Sequence, residues 1–494
     1  MLLEVRLDRC QDLALAPWRA LLAAVAPERL VITYRDVAEV EPGAGIEGAR
    51  QAGVARRLAW WARAWTAGVG YVDIELATWQ AEATVAVAWA QRSSSATRLI
   101  LSQHDFVGMA PLATLLARRR AAEAAGADLV KLAATPADVH EQLIWCALLH
   151  DPGPWQRPLL GIAMGEAGLW SRVLAPRFPR PAPFVYAHHG AVAMAPGQVH
   201  WRTLRDRYRF LTLGPTTPIY GLMGDPVRQS RSPALHNAAL ILLDLPGCYL
   251  PFAVAASPRL FVEALAPQLG IRGLSVTAPH KEAVLPACRE LSALARRIGA
   301  VNTLLWLPEG GWRGDNTDAP AALASLRAAL QPGGQAAQLA GLRVLLLGAG
   351  GVARAIGEAL RAAGADVAVT ARRPAAAAAL AAALAGRTVL WRDLPAAAGV
   401  VDVLVQATPV GMAPGVSTSP LTPAQMPRAG LVWDTIYAPA ETQLMALALA
   451  RGIPVLGGAD MFYRQAAAQV ALFTGKEVVL EVLVAAMRED FDAA

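Results

Sequence analysis

Short aliphatic runs alternating with longer, Ala/Arg-rich amphipathic segments dominate this chain, and that rhythm restricts it to folds built on parallel sheets. From Met1 to about His200 the candidate strands are Leu2–Asp8, Leu30–Arg35, Tyr71–Leu76, Leu99–His104, Leu129–Ala133, Leu159–Met164 and Phe184–His188. Runs that are apolar at nearly every position need cover on both faces, and helical crossovers supply it. Repeats of this kind suit a (β/α)8-type TIM barrel, whose reactive groups gather at the carboxyl ends of the strands. Seven candidate strands stand where a closed barrel needs eight.

The chain, at 494 residues, exceeds one compact core. A basic helix, Trp201–Leu211, leads into the turn-rich Gly214-Pro215-Thr216-Thr217-Pro218. Two further α/β regions follow, separated by Gln331–Ala340 with its Pro332-Gly333-Gly334. The expected division is a barrel over 1–212, a linker over 213–218, a small α/β domain over 219–330 and a nucleotide-binding domain over 331–456. The remaining helices, 457–494, pack back on the small domain.

A hydrophobic share of 55 % against 17 % charged residues marks a globular chain rather than a disordered one. The net charge of +6 comes from dispersed arginines without a basic block, so no nucleic-acid partner is expected. No uncharged run of about 18 apolar residues occurs, so no membrane partner is expected either. Cys10, Cys146, Cys248 and Cys288 are scattered without a CxxC pair, and the opening MLLEVRLDRC lacks a secretory pattern. Reduced thiols, a cytoplasmic location and no metal are the expectation.

The segment Arg343–Leu347 reads as a buried strand running straight into Gly348-Ala349-Gly350-Gly351-Val352-Ala353. A GxGxxA turn between a strand and a helix is a Rossmann dinucleotide fingerprint. Gly348 permits the tight turn, and Gly350 and Gly351 let the backbone approach a pyrophosphate at the helix N-terminus. Ala353 keeps that helix close to the sheet. The next strand, Asp366–Thr370, ends in Ala371-Arg372-Arg373 where an NAD site would place a carboxylate. Two guanidiniums pair with phosphate, so the expected cofactor is NADP(H); two solvated surface arginines are the competing reading.

The second half carries Gly221-Leu222-Met223-Gly224-Asp225-Pro226, Ser230-Arg231-Ser232-Pro233 with His236-Asn237, and Val276-Thr277-Ala278-Pro279-His280-Lys281-Glu282. Gly299-Ala300-Val301-Asn302-Thr303 and Gly314-Asp315-Asn316-Thr317-Asp318 follow. In type and order these motifs resemble shikimate dehydrogenases from Ile219 to the C-terminus. The resemblance implies that Ser230 and Ser232 hold a substrate carboxylate and that Thr277, Asn302 and Gln465 bond ring hydroxyls. It also implies that Lys281 and Asp318 form the catalytic pair, a lysine beside a carboxylate keeping the proton it donates. Ala407-Thr408-Pro409-Val410-Gly411-Met412, Trp433-Asp434-Thr435-Ile436-Tyr437 and Gly457-Gly458-Ala459-Asp460-Met461 resemble the same family's later loops. They place Thr408 and Gly458 at the cofactor and Tyr437 at the substrate. Ala371 stands where that family has a polar residue, leaving Arg372 for the 2′-phosphate.

The first half carries Glu4-Val5-Arg6-Leu7-Asp8, Asp73-Ile74-Glu75-Leu76, Ser102-Gln103-His104-Asp105-Phe106 and Gly126-Ala127-Asp128-Leu129-Val130-Lys131. Met164-Gly165, Ser171-Arg172 and Ala195-Pro196-Gly197-Gln198 complete a resemblance to type I 3-dehydroquinate dehydratases. From the residues alone, Lys131 sits in an aliphatic strand where desolvation lowers its pKa and frees an amine nucleophile. His104 ends the preceding strand, so the two side chains should converge at the barrel mouth; a snorkelling lysine and a structural histidine are the bland alternatives. The resemblance implies a Schiff base at Lys131, proton removal by His104 oriented by Glu75, and carboxylate binding by Arg172. Glu4, Arg6, Arg35 and Gln198 would position hydroxyls and the imine, with ion pairing as the competing role for Glu4 and Arg6.

Two departures stand out. The family's barrel has a βα unit before the Glu-x-Arg-x-Asp strand, so a barrel lacking its first βα unit is expected, to be completed by an upstream start, another element or a partner chain. Met194 occupies a position that carries a small hydroxyl residue in the family, and a thioether donates no hydrogen bond. The resemblances together imply a chain converting 3-dehydroquinate to 3-dehydroshikimate and then to shikimate, with these small molecules as partners and a homodimer as the candidate assembly. A dehydrogenase acting on shikimate or quinate beside a scaffold barrel, and a metabolite-sensing regulator, are the alternatives.

Overall fold

The computed structural model describes residues 2–9, 15–35, 47–92, 96–190, 193–330 and 338–492. Cys10 and the Pro332-Gly333-Gly334 separator lie outside them. The chain divides into two compact units, Met1–Thr216 and Thr217–Ala494.

In the first unit, β1 (Leu3–Arg6), β2 (Leu30–Thr33), β3 (Tyr71–Glu75), β4 (Arg98–Asp105), β5 (Leu129–Ala134) and β6 (Leu159–Ala163) pair in sequence order. Every pair is parallel. Helices such as Glu47–Thr66, Leu112–Ala124 and Val139–His150 make the crossovers. All residues of β2, β3, β5 and β6 are buried, as sheet covered on both faces requires. Side chains such as Leu30, Ile32, Ile74 and Leu99 are wholly buried, each worth about 1.5–3 kcal/mol of apolar burial.

The expected seventh strand, Phe184–His188, does not form. Only isolated bridges, Leu159 to Pro181 and His188 to His200, occur there. Pro179, Pro181 and Pro183 lack the amide hydrogens that a ladder needs. The first unit is therefore a parallel half-barrel of six strands among the described residues. The basic helix Trp201–Leu211 is also interrupted. A π turn, Thr203–Arg207, and a 3-10 turn, Phe210–Thr212, are separated by Arg209 at φ +50°.

The second unit holds two six-stranded sheets. The first contains β7 (Ile219–Gly224), β8 (Cys248–Ala253), β9 (Ile271–Val276), β10 (Cys288–Leu291), β11 (Thr303–Trp306) and β12 (Trp312–Asp315), in the order β10-β12-β11-β9-β7-β8. It is parallel except for β11, which runs against β9 and β12. The second contains β13 (Arg343–Leu347), β14 (Asp366–Thr370), β15 (Arg387–Thr388), β16 (Val400–Gln406), β17 (Arg428–Asp434) and β18 (Val455–Leu456). Its order is β15-β14-β13-β16-β17-β18, all parallel. The order reverses between β13 and β16, which opens a crevice beyond their carboxyl ends. After β18 the helix Ala459–Thr474 packs Phe462, Tyr463, Ala466 and Val470 against Leu235 and Ala239 of the helix Ser232–Leu242.

Candidate active sites

Strand alternation builds the first site. Residues two apart on a strand share a face, and the register sets Glu75, Ser102 and Lys131 in one row across β3, β4 and β5. Asp73, two residues before Glu75, projects to the same side. Lys131 Nζ donates to Asp73 Oδ2 at 2.8 Å, and Ser102 Oγ donates to Asp73 Oδ1 at 2.5 Å. The Arg35 guanidinium donates to Asp73 at 2.9 Å, to Glu75 at 2.7 Å and to Ser102 at 2.8 Å. Lys131, Asp73, Arg35 and Glu75 are all buried.

This packing shifts the titrating groups apart. Burial pushes the Lys131 ammonium below the usual lysine range; Asp73 opposes that shift and Arg35 adds to it. His104 is held well below its ordinary value by burial and then by Arg35 and Lys131, so the imidazole is neutral. Burial alone would raise the Asp73 carboxyl, but Arg35 and Lys131 outweigh it and hold it low. A desolvated amine and a neutral imidazole are the states that nucleophilic and base chemistry require. Arg172, on the helix Leu169–Val173, is buried and pushed down to about 10; it donates to Pro196 O at 3.2 Å while its Nε has no partner among the described residues. An incompletely bonded guanidinium of this kind suits a carboxylate.

The second site lies in a cavity of about 160 Å³ lined by Ser230, Ser232, Thr277, Lys281, Asn302, Asp318, Tyr437, Gln465 and Gln469 among others. Asp318 opens the helix Asp318–Leu330, whose first amides are capped by Asn316 Oδ1 at 3.1 and 3.2 Å. That cap aims Asp318 at Lys281, whose Nζ donates to Oδ2 at 2.5 Å. Asn302 Nδ2 donates to the other carboxylate oxygen at 2.8 Å. Behind these groups a hydrogen-bond chain runs from Tyr249 OH to Ser275 at 2.7 Å, from Ser275 to Gln469 at 2.6 Å, and from Gln469 to Asn302 O at 3.0 Å. Such a network fixes a polar site against the apolar helix behind it.

The glycine turn between β13 and the helix Gly351–Ala362 borders this cavity. Gly348 has φ +116°, and a Cβ there would lie 2.8 Å from Ala407 O. A Cβ on Gly350 would meet only open space, and one on Gly351 would crowd the Lys281 side chain at 3.0 Å. The turn is thus a bare cradle at a helix N-terminus, and it fits a pyrophosphate. Ala353 is wholly buried in the core between helix and sheet. Arg372 and Arg373 are exposed after β14, where a 2′-phosphate would sit. Gln406 Nε2 donates to Thr408 Oγ1 at 2.9 Å and to Val410 O at 3.0 Å, pinning the facing loop. A Cβ on Gly458 would strike Thr435 O, which explains the glycine at that crossing.

Comparison with known proteins gives three family matches: type I 3-dehydroquinase over residues 2–215, shikimate dehydrogenase substrate binding domain over 222–304, and shikimate / quinate 5-dehydrogenase over 333–420. The chain is 31 % identical over 485 residues to the chloroplastic bifunctional 3-dehydroquinate dehydratase/shikimate dehydrogenase of Arabidopsis thaliana. The alignment covers 96 % of this chain and 77 % of that one. It belongs to that bifunctional family. The NADP(+) shikimate dehydrogenase of Methylobacterium radiotolerans is 42 % identical over 255 residues, covering 51 % of this chain and 89 % of its own. A shikimate dehydrogenase solved in complex with NADP+ superposes with a TM-score of 0.51 at 30 % identity, over 56 % of this chain and 97 % of that one. A full-length bifunctional relative favours two activities over a scaffold barrel or a sensor.

Within the dehydratase unit the structure gathers Lys131, His104, Glu75 and Arg35, with Glu4 and Arg6 in electrostatic range. Glu4 accepts from Thr33 Oγ1 at 2.7 Å, and Arg6 is engaged by Asp8 at 2.7 and 3.0 Å. Among the described residues the expected Glu75–His104 contact is absent: Arg35 takes one Glu75 oxygen, while Glu75 Oε2 and His104 Nδ1 have no partner there. Gln198 closes its own loop, accepting from Met194 N at 2.9 Å and Ala195 N at 3.3 Å. Met194 is exposed.

In the dehydrogenase unit the named substrate residues all line the cavity. Tyr437 stacks on Phe462 at 4.3 Å, and burial raises its phenol while Ser230 and the Arg231 backbone lower it. Gln465 donates to Phe462 O at 2.9 Å. Sequence reasoning missed Asp73, Ser102, Gln469 and Ser275. Asp73 was legible from alternation, two residues before Glu75, whereas Gln469 is joined to Ser275 only by the fold.

Proposed function

We propose that the first unit dehydrates 3-dehydroquinate to 3-dehydroshikimate and the second reduces that product to shikimate with NADPH. The observation that carries this reading is a lysine–aspartate pair in each unit, buried at Lys131–Asp73 and partly buried at Lys281–Asp318, within one chain of the bifunctional family.

In the first step Lys131 Nζ condenses with the C3 ketone, releasing water and forming an iminium. The iminium draws electrons from the neighbouring C–H bond, and neutral His104 takes the C2 proton. The C1 hydroxyl then leaves as water with a proton returned through His104, and hydrolysis of the imine frees the product. Arg172 holds the carboxylate, and Arg35, Glu4, Arg6 and Gln198 position the remaining polar atoms.

In the second step Ser230, Ser232 and Tyr437 hold the carboxylate end of 3-dehydroshikimate, with Thr277, Asn302 and Gln465 on its hydroxyls. Lys281, held by Asp318, donates a proton to the carbonyl oxygen. Gly348, Gly350, Gly351, Ala353, Thr408 and Gly458 would seat the NADPH, and Arg372 with Arg373 its 2′-phosphate; when bound it supplies the hydride. Among the described residues no helix is long and apolar enough to cross a membrane. The scattered cysteines, without a CxxC pair, support a reducing, cytoplasmic setting in this reading.

The test is chemical. Borohydride added with 3-dehydroquinate should attach the reduced substrate to Lys131, located by peptide mass, and Lys131→Met should abolish both the adduct and dehydration. A folded wild-type chain that dehydrates the substrate without trapping at Lys131 defeats the reading. Arg372→Ala should raise the KM for NADPH about tenfold or more while leaving NADH turnover unchanged; equal losses on both cofactors would contradict a 2′-phosphate contact.

A further inference from the structure

Tyr186 lies at 9 % exposure in the core of the dehydratase unit, beside Ala133 and Met164. Lys131 Nζ stands 4.3 Å from the centre of its ring. The phenol oxygen is buried and has no hydrogen-bond partner among the described residues. A stranded buried hydroxyl costs about 1–3 kcal/mol, and a phenylalanine would fill the same space without that cost. Glu4, Asp73, Arg35 and Arg6 act on the hydroxyl electrostatically, and these are the residues that also act on Lys131 or His104.

We propose that Tyr186 is a further substrate-holding residue of the dehydration step, its ring facing the iminium on Nζ and its hydroxyl bonding the substrate hydroxyl on the carbon beside the imine. The proposal rests on the Schiff-base reading of Lys131. A cation over an aromatic face is stabilised by the ring quadrupole, more so when desolvated, and the iminium places such a charge at the Nζ position. The orientation follows from the order of the elements. His104 comes from β4, on one side of β5 and Lys131, and Tyr186 comes from the segment after β6, on the other. A ring hung from Nζ by C3 has two neighbouring carbons. The one that loses its proton turns toward His104, so the one bearing a hydroxyl turns toward Tyr186. The free phenol is then satisfied only when substrate is bound, which makes the residue a selector for that hydroxyl.

The experiment compares wild type, Tyr186→Phe and Tyr186→Leu in the full chain, with 3-dehydroquinate and with its analogue lacking the hydroxyl beside the ketone. Borohydride trapping is run in parallel on each. Tyr186→Phe should lower kcat/KM about three- to tenfold on 3-dehydroquinate and leave the analogue unchanged. Tyr186→Leu, which also removes the ring, should lose roughly tenfold more on both compounds. Equal effects of Tyr186→Phe on both compounds, or none on either, overturn the proposal while wild-type trapping at Lys131 still upholds the Schiff base. Absence of wild-type trapping would overturn both together.

Discussion

Burial is the largest influence on the Lys131 ammonium, and the chief group opposing it is Asp73. That carboxylate is wholly buried and shared by Lys131, Arg35 and Ser102. Asp73→Asn leaves two buried cations without their common carboxylate, and breaking such a pair costs about 3–5 kcal/mol. Urea unfolding of the variant should show a loss of that size. Asp73 opposes the effect of burial on Lys131, so the pH at which borohydride trapping begins should also move down. The carboxyl is depressed in the folded state, so its stabilisation is present above about 3.9 and fades as pH falls through the folded value. His104 gives a separate signature. Its imidazole is held below the ordinary 6.5, so the acid limb of kcat/KM for dehydration should lie below that pH. A limb at or above 6.5 would mean that the base is not buried His104. At this level the sequence pointed to Lys131, His104 and Lys281 because a motif carried each of them. It assigned Glu75 to His104, whereas the structure pairs Glu75 with Arg35, because a strand position states which way a side chain points but not which neighbour takes it.

The secondary-structure elements were legible wherever apolar runs were unbroken. β2 to β6, β13 and β14 are built around such runs, while β15 is an exposed Arg-Thr pair; Phe184–His188 has a strand-like composition but is preceded by three prolines that deny it a ladder. The glycine turn after β13 would join the proposed cofactor cradle to the proposed catalytic pair, since a Cβ on Gly351 would crowd the Lys281 side chain at 3.0 Å. Gly351→Ala should raise the KM for NADPH and lower kcat for reduction together, with dehydration untouched. A change confined to KM would mean that the turn holds cofactor without positioning the lysine. At the end of β17, burial raises the Asp434 carboxyl to about 6, against hydrogen bonds from Ile436 N and Thr442. A raised carboxyl favours the folded state while protonated. The second unit should therefore lose on the order of 2–3 kcal/mol as pH climbs from about 4 to 6. Thermal unfolding across that window, compared with Asp434→Asn, checks the sign: the slope should flatten in the variant.

For the molecule as a whole, the division at Thr216/Thr217 gives each unit its own core and its own lysine. The alternating pattern announced parallel α/β units, and the motifs announced two chemistries. The half-barrel was half legible, since the strand count fell short of closure before the prolines reduced it further. The decisive measurement is a coupled assay in which the intact chain receives 3-dehydroquinate and NADPH. NADPH should be consumed by wild type. It should not be consumed by Lys131→Met, which still oxidises NADPH when given 3-dehydroshikimate. Lys281→Met should form 3-dehydroshikimate from 3-dehydroquinate and leave NADPH untouched. NADPH consumption from 3-dehydroquinate by Lys131→Met, or loss of both steps in either variant, would contradict two separate lysine-centred sites.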